Sequence, residues 1–282
     1  MRKRIIITLI ILTSCFCVWW LTFYHEKNVW AVVVVGLLVN IVSGPLYFGV
    51  IEGLYNLKHF KLFWKSYVIY RNKDVRFSIS YVYRINVKGK YLLVKNRKKP
   101  YYQPVGGAYK TLPGAETIFK KYNVQPDNMF ETSHGIAKND LRFRVKGKNV
   151  MNIINWFNSR ENRETCQWRE FCEELLTENI ITNKHAFRYI DYEYSSTLQT
   201  PMQKAKKLDC QEILIFEIFD LIPNDEQKVE LEAMLAAGDN DKVKFADEVL
   251  IKTLGFDERT KELVYDIGAH TKWTLFEKWT SD

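Results

Sequence analysis

The chain of 282 residues predicts an α+β domain carried behind two membrane-spanning helices. Residues 5–23 and 29–50 contain no Asp, Glu, Lys or Arg, and each run is close to the ~20 residues an α-helix needs to cross a bilayer. Beyond residue 75, apolar residues alternate with period two in some stretches and recur at helical spacing in others, with no regular βαβ rhythm and no internal repeat. No Pro- or Ser-rich linker divides this region, which has the size of one domain.

The N-terminal run begins "MRKR" and continues apolar through Trp19, Trp20 and Phe23. A cleaved signal peptide would stop at an apolar core of about 7–15 residues and offer a small-residue cleavage site. A lipoprotein signal is a second alternative, since Leu12-Thr13-Ser14-Cys15 loosely fits a lipobox, yet the sequence stays apolar after Cys15 where a polar tether belongs. Two buried core helices are a third, disfavoured by two adjoining uncharged runs. Arg2, Lys3 and Arg4 precede the first span and Lys58, Lys61 and Lys65 follow the second, while the short outer hairpin has a single Lys. The positive-inside rule therefore places both termini in the cytoplasm, and Trp19, Trp20 and Trp30 fall where an outer aromatic belt would lie. Residues 1–55 form this membrane unit.

In the second span Gly36, Asn40 and Gly44 recur every four residues on one face. Small residues let helices approach closely, and an Asn can hydrogen-bond across the contact. The face can serve packing between the two spans of one chain or self-association between chains.

Residues 56–75 form a basic connector mixing Lys with Phe, Trp and Tyr, suited to the inner leaflet or to a continued helix. Residues 56–100 hold thirteen Lys and Arg against one acid, Asp74, and everything after Pro100 is net acidic, although the chain as a whole carries +8. A general DNA binder would spread its positive charge; here it is local to the membrane side, so no DNA partner is expected. Cysteines and histidines form neither zinc spacing nor a disulfide framework.

The remaining residues, 76–282, read as the cytoplasmic domain. "RFSISYVYRINV" (76–87) alternates, Lys88-Gly89-Lys90 turns, and "YLLVKN" (91–96) returns, which predicts a hairpin. Further strands are expected at 141–145 and 212–219, and helices at 150–158, 161–178, 225–237 and 243–253. Asp225-Glu226 favours a helix start and Gly238 a stop.

"SRENRETCQWREFCEELLTE" (159–178) holds the densest acidic pattern. On a helix Glu170, Glu173 and Glu174 stand at i, i+3 and i+4 and share a face. One account is a solvated acidic face with Arg169 pairing Glu173; the other is a set of oxygen ligands for Mg²⁺, the one cofactor the pattern suggests.

These residues resemble the Nudix box, G-x5-E-x7-R-E-U-x-E-E-x-G-U with U a bulky aliphatic. The chain offers Asn155, Glu161, Arg169, Glu170, Phe171, Glu173, Glu174, Leu176 and Thr177 at those places, and all five charged positions match. The resemblance implies a mixed sheet beside a loop–helix–loop whose glutamates, Glu170, Glu173 and Glu174, hold Mg²⁺ against a nucleoside-diphosphate linkage. Gly106-Gly107 resembles the family's Gly-Gly segment. Asn155 and Leu176 replace the two glycines: Asn visits left-handed backbone readily, whereas a branched residue there costs about 1–2 kcal/mol, so the loop after the helix is expected to differ. Fifty-three residues intervene between Gly107 and Glu161, which implies an insertion relative to the family.

Two transmembrane helices followed by a divergent Nudix-like domain resemble the SMODS-associated Nudix effectors of cyclic-oligonucleotide-based antiphage signalling (CBASS). That likeness implies an inner-membrane protein that binds a cyclic oligonucleotide made by a partner nucleotidyltransferase, self-associates and disrupts the bilayer. The alternative is a membrane-anchored Mg²⁺-dependent Nudix pyrophosphohydrolase acting on a nucleoside diphosphate derivative, with Glu170, Glu173 and Glu174 catalytic. For ligand binding, Lys95, Arg97, Tyr101 and Tyr102 offer cations and flat rings beside Gly106 and Gly107, with Glu161 and Arg169 from the box. A solvated hairpin near lipid headgroups is the competing account of the basic residues among them.

Overall fold

The computed structural model describes residues 59–127, 138–205, 208–276 and 279. The expected spans at 5–23 and 29–50, and with them Gly36, Asn40 and Gly44, lie outside the described residues. Among the described residues no helix is long and apolar enough to cross a membrane. The chain from Lys65 onward forms one compact unit, entered through the π-helical turn Trp64–Ile69. Gly147 lies so close to this turn that a Cβ there would sit 2.4 Å from the Ser66 carbonyl oxygen and 2.2 Å from that of Tyr70.

The architecture is α+β with a mixed sheet. Strand β1 (Asp74–Arg84) is buried on both faces, as a central strand must be. It runs parallel to β10 (Gln211–Ile222), with Val75 opposite Gln211 and Arg84 opposite Asp220. The expected hairpin is divided between two sheets: the alternating run passes from β1 into β2 (Asn86–Val87), and only β2 pairs with β3 (Lys90–Lys95). Its turn has Lys88 at φ 51° and Gly89 at φ 84°, with the Gly89 amide donating to Asn86 Oδ1 at 3.0 Å.

After β4 (Tyr102–Gln103) and β5 (Gly106–Ala108), the residues expected to be an insertion supply structural elements. These are α1 (Ala115–Tyr122), β6 (Gln125–Pro126), β7 (Arg142–Lys146) and α2 (Val150–Ser159). Because β7 pairs antiparallel with β1 and β6 with β7, this segment extends the main sheet. The box helix is short: α3 (Trp168–Phe171) passes into a π-helical turn, Cys172–Thr177. The expected helix over 161–178 therefore starts late, because Arg160 and Asn162 are left-handed at φ 61° and 55° and break it.

Strands β8 (Asp191–Gln199) and β9 (Gln203–Lys204) both pair antiparallel with β10. Among the described residues the main sheet runs β6-β7-β1-β10-β8, with β5 on β1 and β9 on β10. Helix α4 (Asp225–Ala237) has the expected bounds; Asn224 and Gln227 close a capping box at its start, and Gly238 stands at its end. The expected helix over 243–253 is corrected. Val243–Ala246 is strand β11, paired with β3, because its alternate side chains cover that small sheet. Asp247, whose side chain accepts from Leu250, starts the short α5 (Glu248–Lys252). A two-stranded ribbon of β12 (Phe256–Asp257) and β13 (Glu262–Leu263) precedes α6 (His270–Phe276).

One buried cation ties the sheet together. Arg76 on β1, 4% exposed, pairs with Asp127 and with Glu212 on β10, each at 3.0 Å. Burial opposes its charge, but the two acids together raise the guanidinium pKa.

Candidate functional site

The box helix packs over β1 and β5, and the paired glycines explain how it comes so near. A Cβ on Gly106 would lie 2.2 Å from the Tyr81 carbonyl oxygen, and one on Gly107 would lie 2.2 Å from Glu170 Oε1. Gly106 also has φ 148°. Gly106 thus lets β5 close on the β1 backbone, and Gly107 lets the Glu170 carboxylate lie over the strand.

Glu170 and Glu174, four residues apart, both turn inward, each 9% exposed. Glu174 Oε2 accepts the Gly106 N–H at 2.8 Å. Burial pushes this carboxyl up to about 8, against the opposing pull of the Gly106 amide, so it is largely neutral at pH 7. Glu170 is also raised by burial, offset by Arg169. Its backbone N–H donates to the Tyr81 hydroxyl at 3.2 Å. Burial raises the Tyr81 hydroxyl too, keeping it neutral.

Arg169 is the hub. Its Nη1 reaches Glu170 Oε1 at 2.6 Å and Glu173 Oε1 at 3.4 Å, Nε reaches Glu164 Oε1 at 3.0 Å, and Nη2 donates to the Ala108 carbonyl at 2.7 Å. These carboxylates hold its pKa raised although burial opposes it. Glu164 in turn accepts the Lys110 N–H at 3.0 Å. Glu164, passed over in the sequence because it is not a box position, holds Arg169, whereas Glu161, the box position expected at the ligand site, is exposed and lies outside the cluster.

Glu173 is the least buried of the three acids. It faces Arg97, at 3.7 Å, while Arg97 Nη2 donates to the Glu173 carbonyl at 3.2 Å and lies 3.9 Å from Glu178. It keeps the expected contact with Arg169, whose Nη1 also holds Glu170, so the three glutamates share one cluster with two members buried and one half-exposed. Among the described residues no three His, Cys, Asp or Glu side chains converge on a point that could hold a metal ion. Glu170 Oε1 is taken by Arg169 and Glu174 Oε2 by the Gly106 amide, and Glu173 is the most exposed of the three. A Mg²⁺ takes one or two carboxylates and several waters, so at this site it would compete with Arg169 and the Gly106 amide for its oxygens.

The structure also relocates the two glycine substitutes. Asn155 is an exposed residue inside α2, and the left-handed turn comes later, at Arg160 and Asn162. Leu176 is buried, 8% exposed, in the π-helical turn; the left-handed position there is Asn179, φ 52°. The cost of a branched residue at positive φ is thereby avoided.

The expected ligand residues are dispersed. Tyr102 is buried in a core with Leu93, Ala246, Ile251 and Ile267, and its hydroxyl donates to the Asp241 carbonyl at 3.0 Å. Tyr101 is half-buried against His270 at 6.0 Å between ring centroids. Burial, helped by Lys99, lowers the His270 imidazole to about 4, which leaves it neutral. Lys95, at the end of β3, and Arg97, in the loop between β3 and β4, are exposed. Arg97, Gly106, Gly107 and Arg169 do meet around the box helix; Lys95, Tyr101 and Tyr102 do not join them.

No curated protein matches the chain in sequence. The sequence model of the SMODS-associated NUDIX domain matches residues 74–275, spanning β1 to α6 and enclosing both the paired glycines and the box helix. This chain belongs to the SMODS-associated NUDIX domain family.

Proposed function

We propose that this protein is a ligand-gated membrane effector of antiphage defence. In this reading the Nudix-like domain binds a cyclic oligonucleotide made by a partner nucleotidyltransferase. Two N-terminal helices in the inner membrane then associate, through the face of Gly36, Asn40 and Gly44, and disrupt the bilayer. Both chain termini are cytoplasmic. Three things support the reading: the family to which the domain belongs, the two uncharged runs ahead of it, and the closed state of the box. The family carries most weight; the box adds that Glu170 Oε1 and Glu174 Oε2 are engaged by Arg169 and the Gly106 amide, contacts a metal-dependent hydrolase would have to release. The box scaffold has kept its charges for holding strand β5 and the loop before α3 in place.

A ligand can drive assembly only by binding the assembled state more tightly, and a shift from 1:99 to 99:1 needs about 10⁴-fold preference. The test is dye release from vesicles of bacterial inner-membrane lipid carrying the full-length protein. Addition of cyclic di- and trinucleotides should release dye with at least one of them, and linear mononucleotides should not. Silence with every cyclic nucleotide would contradict the proposal.

A further inference from the structure

A second concavity lies at the N-terminal end of the box helix, apart from the glutamate cluster. Its volume is about 270 Å³. It opens between the segment 160–167 and the β8 edge of the main sheet, and its wall is aromatic: Tyr192 and Tyr194 from β8 and Phe219 from β10. Both tyrosine rings stand edge-on to Phe219, at 5.6 and 5.8 Å between centroids. Tyr194 is 49% exposed, so part of its side chain is open to a ligand in the cavity.

The floor is polar and built. Glu217, 7% exposed on β10, accepts from the Tyr109 hydroxyl and lies 3.8 Å from Arg163. Gln167, 4% exposed, donates to that same tyrosine oxygen at 2.9 Å. Arg163 is fixed in place by the Phe157 and Glu164 carbonyls, at 2.9 and 2.8 Å, and by stacking on the Phe157 ring at 3.9 Å. These contacts pair the buried carboxylate, amide and guanidinium and make the floor of the cavity rigid. At the rim, Arg160 is exposed on a left-handed turn and lines the cavity, so its guanidinium can reach an anion at the mouth.

We infer that this cavity is the cradle for one nucleotide unit of an oligonucleotide ligand, its base against Tyr192, Tyr194 and Phe219 and its phosphate at Arg160. Aromatic faces and one guanidinium are what a base and its phosphate require. The size decides how much ligand enters. Pockets that engulf a drug-sized ligand start at about 300 Å³, so this one admits a single nucleotide and leaves the rest of a cyclic molecule outside. The inference rests on the effector reading above and sharpens it, because the ligand's outer units stay free to meet a second copy of the chain. The same loop carries Glu164, which holds Arg169, and so links the cavity to the box.

The experiment measures equilibrium binding of radiolabelled cyclic di- and trinucleotides, built from adenosine, guanosine and uridine, to the full-length protein in nanodiscs. Tyr194→Ala and Arg160→Gln, both at exposed positions, are compared with Lys228→Ala, exposed on α4 and remote from both sites, while Arg97→Ala probes the box side separately. The expected result is a roughly ten-fold or greater loss of affinity for the first two and little change for the third, with thermal midpoints unchanged. If wild type binds and Arg97→Ala alone weakens it, the cradle is overturned and the effector reading stands. If wild type binds none of these ligands, both fall.

Discussion

The Gly106 amide donates to Glu174 Oε2 at 2.8 Å, closing the last acid of the box onto the paired-glycine strand. A carboxylate in that position, 9% exposed, is a poor anion. Its folded-state pKa of about 8, against an ordinary 4.5, makes stability depend on pH with a definite sign. The folded protein holds a proton there that the unfolded chain gives up, so this contribution is complete below about pH 4.5 and is lost as pH rises through about 8. Glu174→Gln keeps the acceptor and removes the titration. Thermal unfolding from pH 6 to 9 should therefore fall less steeply for the variant than for wild type. Parallel curves would show that Glu174 is ionised in the fold.

Gly107 is the second contact point. Gly107→Ala places a Cβ against the Glu170 carboxylate, and the displaced side chain should cost about 1–3 kcal/mol. Combining it with Glu170→Ala removes the clash. A double-mutant cycle should give a coupling of at least about 0.5 kcal/mol, read from urea unfolding. Simple additivity would mean the helix has moved away from the strand in solution.

The paired glycines and the glutamates were legible as separate motifs, and their chemistry suggested that they belong together. What the sequence could not supply was direction. Spacing of i, i+3 and i+4 places residues on one face without saying which of them is buried, and in the π-helical turn from Cys172 Glu174 is buried while Glu173 lies between Arg169 and Arg97. Glu164 stayed hidden because a loop residue has no periodicity to reveal it. Strand β8 carries mostly polar side chains on an exposed edge, which defeats alternation. Tyr102 illustrates the opposite error: an aromatic beside a basic run suits base stacking as well as core packing, and only burial separates the two. Central β1, β10, α2 and α4 were legible, since apolar patterning and caps agree there.

Arg169 carries the cluster's compensation. Arg169→Ala leaves Glu164 and Glu170 without their cation in a largely buried setting, and should cost about 3 kcal/mol, the lower end for a broken buried pair because the side chain is 25% exposed. Arg169→Lys restores the charge but not the fork, and should recover part of the loss. Equal stability of all three proteins would place Arg169 in solvent.

Arg76 predicts the contrasting case of a structural pair remote from the box. Arg76→Ala strands Asp127 and Glu212 and should destabilise by about 3–5 kcal/mol. Nucleotide affinity of the molecules that remain folded should be unchanged, checked by binding well below the variant's thermal midpoint. A loss of affinity without loss of stability would move the ligand site to this end of the sheet.

The most direct measurement follows binding and turnover in one sample: full-length protein in nanodiscs, a cyclic oligonucleotide and a linear nucleoside diphosphate derivative, each with Mg²⁺ and again with EDTA. The box arrangement predicts saturable binding of the cyclic ligand that survives EDTA, with neither compound consumed. Steady Mg²⁺-dependent release of a monophosphate from the linear compound, abolished by Glu173→Gln, would contradict it.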